Sequence, residues 1–281
     1  MDILPAPISK FPDRYQLNLS NLCNLACWSC DESRSSRIQD DKKRINISVY
    51  PLDTTDPLLA LRETIIESYN HHDTILLGLL GGEPTINKKI ISFLYELVEL
   101  GLHQRTWLEV TTNCHTISKE FKKLLTDYKW GHLSLIASLD QVDEKISWTR
   151  YGADWGNAVK NLNFYKTVIN YLQAHITISV FNSMYFPDIV QYFAGQDIKI
   201  SYSILEYPAY MSPVHWDGDT AIFGDKASYD ACGMGAVFAA YGSNVIPGSK
   251  QKLAEYIAPL QEIRPIKLID VDPVLYQLIF N

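Results

Sequence analysis

The chain has 281 residues, and its 25 Lys and Arg against 32 Asp and Glu leave a formal net charge of -7. That acid excess argues against a nonspecific duplex-DNA or membrane-surface binder, because such proteins need clustered cations against phosphate. With 47% hydrophobic and 12% aromatic residues there is material for a sizeable core, and the length suits one large α/β domain or two small ones.

Residues 1 to 13 read as a Pro-punctuated lead-in with no basic region followed by a long apolar run, so no signal peptide is expected. No later stretch reaches the roughly 18 uninterrupted apolar residues of a membrane helix. Tyr15, Leu17 and Leu19 alternate within residues 14–20 and predict a strand. Residues 31–56 read as irregular and polar, and Lys42-Lys43-Arg44, preceded by Asp40-Asp41, reads as a solvated loop. Asp56 and Pro57 form a cap and first-turn pair for a helix through Tyr69. The nearly continuous apolar run from Thr74 to Leu80 suits a strand buried on both faces.

Helices are predicted over about residues 88–102, 118–128, 154–172 and 187–193, and strands over 107–112, 133–138, 175–181 and 198–205. Six strand-helix repeats across 14–205 imply an α/β domain with a parallel sheet and right-handed crossovers. Periodicity by itself does not separate a partial barrel from an open sheet. Residues 206–281 form a carboxyl-terminal extension. Its aromatics, weakly periodic up to residue 246, read mainly as a layer closing the core. A short helix near 250–257 and a late strand at 265–269 complete the prediction.

Cys23, Cys27 and Cys30, spaced C-x3-C-x2-C, stand at the carboxyl end of the first strand, where parallel α/β folds bind ligands. Thiolates hold iron-sulfur clusters. Three of them on a four-iron cluster leave one iron open, as in catalytic rather than structural metal sites. The alternative is a structural zinc site completed by His71, His72 or His115, although no second C-x2-C half is present. Five cysteines, three of them in one cluster, do not make a secreted disulfide framework, so a reducing, cytoplasmic setting is expected. Gly81-Gly82-Glu83-Pro84 follows the second strand, where glycines let main-chain groups approach a ligand; alone, the motif also fits an ordinary strand-to-helix turn.

Taken in order, these motifs resemble the radical S-adenosylmethionine (radical SAM) enzymes over roughly Tyr15 to Leu205. The resemblance implies a partial (β/α)6 barrel and a [4Fe-4S] cluster on Cys23, Cys27 and Cys30. It implies S-adenosylmethionine bound at the open iron and cleaved reductively to a 5'-deoxyadenosyl radical that takes hydrogen from an organic substrate. Cofactor contacts are implied at Gly81, Gly82, Glu83, Pro84, Asn113, Ser138 and Asp140, with Arg150 as partner of the cofactor carboxylate and Ile178 and Val180 beside the adenine. By default, however, β-branched strand residues are core and an arginine is a surface cation. The family usually has a bulky residue just before the third cysteine; here Ser29 occupies that place and Trp28 precedes it.

A flavodoxin- or ferredoxin-type electron donor is also implied. Cys114 and Cys232 read as hydrogen donors or as inert buried thiols, and two cysteines are too few for a separate cluster in the usual four-cysteine manner. The auxiliary clusters of SPASM or twitch relatives are therefore not expected, although Ser35-Ser36 is somewhat twitch-like. The expected substrate is a small or nucleotide-like molecule. A peptide-modifying enzyme and a glycyl-radical activase are alternatives, and a noncatalytic metal-binding scaffold is the rival from another class.

Overall fold

The computed structural model describes residues 10–18, 20–49 and 56–281. Most of the lead-in, Leu19 and residues 50–55 lie outside the described residues. Six strands build the sheet: β1 (Arg14–Asn18), β2 (Ile75–Leu80), β3 (Thr106–Thr112), β4 (His132–Ser138), β5 (Tyr171–Ile178) and β6 (Lys199–Ile204). Each pairs in parallel with the next in chain order. A doubly wound sheet reverses its strand order at a switch point. Here the order never reverses, and β1 and β6 remain the two ends of the sheet, which makes a partial barrel open on one side.

The helices α1 (Ser36–Arg44), α2 (Pro57–Ser68), α3 (Lys88–Glu99), α4 (Lys119–Thr126), α5 (Trp155–Val168) and α6 (Phe186–Gly195) connect the strands. The apolar faces of α2 to α6 meet one side of the sheet, whereas α1 packs Ile38 with Ala26 and Tyr151 in a separate cluster. Tyr15, Leu17, Leu77, Leu79, Leu108, Val110, Leu135, Ile176 and Ile178 are all buried in one core with Ile65, Leu94, Phe121, Leu162 and Phe193. Full burial of a side chain such as Leu77 contributes about 2 kcal/mol. Successive strand residues face opposite ways, so Thr111, Ser138, His175 and Thr177 face the other, concave side and are only half-buried. In β2 this leaves Leu76 and Leu80 half-buried, a correction to the expectation of a strand buried on both faces.

Several elements differ from the sequence prediction, four of them for a local reason. Helix α1 lies within the stretch read as irregular: Ser35 caps it by accepting from Ile38 N, and its single buried residue, Ile38, gives no periodic signal. Helix α5 ends at Val168 rather than 172, because Asn170 exchanges main-chain and side-chain hydrogen bonds with Leu133 and starts β5 early. That strand ends at Ile178, where Asn182 Oδ1 accepts from Ser179 N and folds residues 179–182 into a turn. Residues 265–269 form no strand; Gln261 Oε1 accepts from Leu268 N and starts a short helix, Leu268–Val271.

The extension adds α7 (Ser249–Ile263) and α8 (Pro273–Phe280). Trp216, Phe223, Tyr229 and Tyr241 are buried, and the Tyr229 hydroxyl donates to Ser183 O beside α6 and lies 2.9 Å from Tyr241 Oη. Most of its aromatics therefore close the core, as their composition suggested, whereas Tyr207 is exposed. No helix among the described residues is long and apolar enough to cross a membrane.

Candidate active site

The parallel strands bring every loop that follows them to one end of the barrel. The cysteine loop is fixed there by its backbone and by the two serines that begin α1. Cys23 N donates to Ser36 Oγ, Ser35 Oγ donates to Leu25 O at 2.6 Å, and Cys30 N donates to Cys27 O. Ala26–Cys27 then pairs antiparallel with Arg150–Tyr151, which carries Arg150 to the loop. Trp28 is buried against Trp148, Phe181 and Tyr256, where it backs the loop and keeps water out.

Two of the three thiols have an N–H or a cation beside them. Leu25 N donates to Cys23 Sγ at 3.5 Å, Asn113 Nδ2 lies 3.9 Å from the same sulfur, and Arg150 Nη1 lies 3.8 Å from Cys27 Sγ. Burial, and then the neighbouring Cys27, push the Cys23 thiol up to about 11. A hydrogen bond between Cys27 and Cys30 lowers the first, assisted by Arg150, and raises the second, where burial adds to the effect. The raised Cys23 and Cys30 thiols hold their protons until a metal takes the proton's place.

This donor set fits an iron-sulfur cluster. A single zinc needs donors about 2 Å from one point, and among the described residues no three His, Cys, Asp or Glu side chains group around one such point. Cysteines of a cluster bind different irons, so their sulfurs need not converge. The histidines proposed for zinc are engaged elsewhere: His71 stacks on Phe11 at 4.3 Å, His72 Nε2 lies 2.7 Å from Phe11 O, and His115 Nδ1 accepts from Asp154 N.

Gly81 and Gly82 adopt φ of 84° and 56°. A Cβ on Gly81 would meet the Asn18 side chain at 1.6 Å, and one on Gly82 would meet Leu22 O at 2.3 Å. The glycines thus let the second loop lie directly on the cysteine loop, and Glu83 N donates to Leu22 O at 2.8 Å. Gly82→Ala is expected to cost on the order of 2 kcal/mol, since it adds a left-handed strain to a clash with backbone; chemical denaturation measures it, and an unchanged midpoint would contradict the close approach.

The side chains expected to touch a cofactor divide into two groups. Glu83 is fully buried, and its carboxylate accepts from Thr85 N, Thr85 Oγ1, Thr112 Oγ1 and Asn113 N. Burial raises its pKa while these donors oppose the rise. Its role is to tie the ends of β2 and β3 together, and Pro84 is buried behind it. Asn113 clamps the cysteine loop through Asn24 Oδ1 at 2.9 Å. Arg150 is 7% exposed, with Nε 3.0 Å from Asp140 Oδ2. Burial works against its charge, but the neighbouring Asp140 outweighs it and keeps the guanidinium protonated. Asp140 Oδ1 also accepts from Thr177 N, so this pair is a bracket for Cys27 rather than a free receptor for a carboxylate. The Ser138 hydroxyl has no hydrogen-bond partner among the described residues and faces the concave side.

Ile178 and Val180 are completely buried, a correction to their place beside an adenine: strand alternation turns Ile178 toward the helices, and Val180 lies in the turn after β5, its N donating to Met211 O, so neither offers a surface to an adenine ring. Cys114 is equally buried, and burial drives its thiol well above the ordinary range, which fits an inert core thiol and not a hydrogen donor. Cys232 Sγ lies in the extension, 3.4 Å from Tyr229 O.

Sequence reasoning missed Asn24, Asn182 and His175. Asn182 Nδ2 donates to Asp140 O and Thr177 O, and only the fold brings it there. His175 faces the concavity with Nδ1 2.9 Å from Ser201 Oγ and Nε2 3.2 Å from Ser203 Oγ; its one sequence signal is a polar place in an alternating strand. Burial lowers its pKa, with Arg150 assisting and Asp140 opposing. Below about pH 6.5 the unfolded chain takes a proton that native His175 refuses, so stability falls as pH drops through the ordinary imidazole value. His175→Gln is expected to flatten part of that loss, read from urea midpoints between about pH 5 and 7.5. His115, also lowered by burial, accounts for a further share, and an unchanged pH slope in the variant would rule His175 out.

No protein-family model matches the chain, and no curated protein matches it. Solved structures do share its fold. Native anSMEcpe with bound AdoMet and Kp18Cys peptide is 16% identical, covering 87% of this chain and 66% of that chain at a TM-score of 0.53. A histidine-tagged anSMEcpe with bound AdoMet is 15% identical, covering 78% of this chain and 57% of that one at 0.51. The chain spans less than two thirds of the length of the latter structure. Streptococcus suis SuiB bound to S-adenosylmethionine matches at 20% identity, over 72% of this chain and 43% of that chain, with a TM-score of 0.47. What is shared with these structures is the fold, the partial α/β barrel described above.

Proposed function

We propose that this chain is a radical SAM enzyme that binds a [4Fe-4S] cluster on Cys23, Cys27 and Cys30 and S-adenosylmethionine beside it. The observation that carries the reading is the convergence of the three-cysteine loop, the Gly81-Gly82 turn and Arg150 at the carboxyl end of one partial barrel. Cys23, Cys27 and Cys30 would hold the cluster, which would supply the electron for reductive cleavage of the sulfonium. This chain's residues fix where that happens. Gly81 and Gly82 bring main-chain groups to the loop, Asn113 and Arg150 donate toward the sulfurs, Trp28 excludes water, and Ser138 offers a free hydroxyl to the cofactor.

The concave face, with Ser138, His175, Thr177, Ser201 and Ser203, suits a polar, hydrogen-bonding substrate, and a small or nucleotide-like molecule is our first assignment. A peptide is the second, favoured because the same fold in anSMEcpe holds a peptide with AdoMet. The site works in a reduced, anaerobic setting with a flavodoxin- or ferredoxin-type donor. Anaerobic reconstitution with iron and sulfide, reduction, and measurement of 5'-deoxyadenosine test the proposal. A protein that takes up zinc instead and forms no 5'-deoxyadenosine would return it to the metal-binding scaffold.

A further inference from the structure

The extension sends one charged side chain into the cysteine loop. Arg264, the residue after α7, is 1% exposed. Its Nε donates to Asp41 Oδ2 on α1 at 2.9 Å, and its Nη2 donates to the Ala26 carbonyl at 3.2 Å. The guanidinium carbon lies 4.3 Å from the ring centres of both Trp28 and Tyr151. Ala26–Cys27 and Arg150–Tyr151 are the paired strands that carry Cys27 and Arg150, so a single cation braces both. Nη1 is buried without a hydrogen-bond partner among the described residues.

Burying this charge carries a desolvation penalty, and an apolar side chain of similar size would brace the same rings without it. The charge itself therefore calls for an electrostatic role. We propose that Arg264 is a positioning residue through which the carboxyl-terminal extension raises the reduction potential of the iron-sulfur centre held by Cys23, Cys27 and Cys30. This inference rests on the function proposed above. A buried positive charge near the thiolates favours the more negative, reduced centre. Arg150 acts from the other strand, but its partner Asp140 has a side chain only 5% exposed and offsets its field. The Asp41 side chain is 13% exposed against 1% for Arg264, so solvent screens the acid more than the base and a net positive field remains.

The test is a redox titration of the reconstituted full chain, followed by the electron paramagnetic resonance signal of the reduced cluster. Arg264→Met, which keeps the ring contacts and loses the charge, is expected to shift the potential negative. Arg264→Lys keeps the charge and should stay near the unaltered value, whereas a purely structural role would shift neither or disturb both alike. Asp41→Asn should shift the potential the opposite way. An unchanged potential in Arg264→Met at normal iron content overturns the inference. If that variant takes up no iron, Asp41→Asn decides: a positive shift supports the inference and no shift overturns it. Iron and sulfide in the unaltered protein test the function separately. Their absence sinks the enzyme reading, while a cluster indifferent to Arg264 and Asp41 sinks this inference alone.

Discussion

Cys27→Ala is expected to bring 5'-deoxyadenosine formation to background and to reduce iron uptake sharply, in a protein that still folds. The loss follows from the donor count of the proposed cluster: three thiols would hold it, and among the described residues no other cysteine stands in reserve, since Cys114 is sealed in the core and Cys232 lies beside Tyr229. The fold survives because Cys27 contributes one buried sulfur to a two-residue strand, a deletion costing about 1 kcal/mol. Arg150 keeps Asp140 as its counter-ion, so no buried charge is left unpaired. Iron analysis, product chromatography and a circular dichroism melt together check this outcome. Turnover that persisted in the variant would remove Cys27 from the site.

Glu83→Ala is expected to be the most destabilising substitution near the site, and to act through architecture rather than ligand contact. It leaves Thr85 N, Thr85 Oγ1, Thr112 Oγ1 and Asn113 N facing a dry gap. Thr85 Oγ1 also has a second acceptor, Thr116 O at 2.8 Å. Orphaning buried donors of a charged acceptor costs about 3–5 kcal/mol, and for a chain of this size the melting temperature should fall by roughly 10 °C. Glu83→Gln should lie between, because its carbonyl can replace Oε1 but its amide cannot accept from Asn113 N. Thermal unfolding of the apoprotein gives the ranking. If Gln and Ala behaved alike and cost little, the carboxylate would not be the organiser of this corner.

The same residue shows how sequence and structure divide the information. The Gly81-Gly82-Glu83-Pro84 motif was legible as a turn after a strand, and the glycines do make the close approach that their lack of a Cβ permits. That Glu83 faces inward, onto Thr112 and Asn113 of the next strand end, was not legible, because its partners lie 29 and 30 residues away and no local pattern encodes them. Arg150 repeats the lesson. Its charge marked it as a partner for an anion, but the anion is Asp140 within the chain, joined by the sulfur of Cys27.

The sequence by itself determined the strand-helix alternation, the position of the cysteine loop at a strand end, and the chemistry of its three soft ligands. These follow from short-range rules: alternation of apolar residues, capping, and residue type. Tertiary structure alone decided that the sheet never reverses its order and so curls into a partial barrel. It decided as well that Ile178 faces the helices while His175 faces the concavity, and that Arg264 reaches back to Trp28 and Asp41. Those outcomes depend on which distant surfaces exclude water from one another, and apolar burial carries no sequence address of its own.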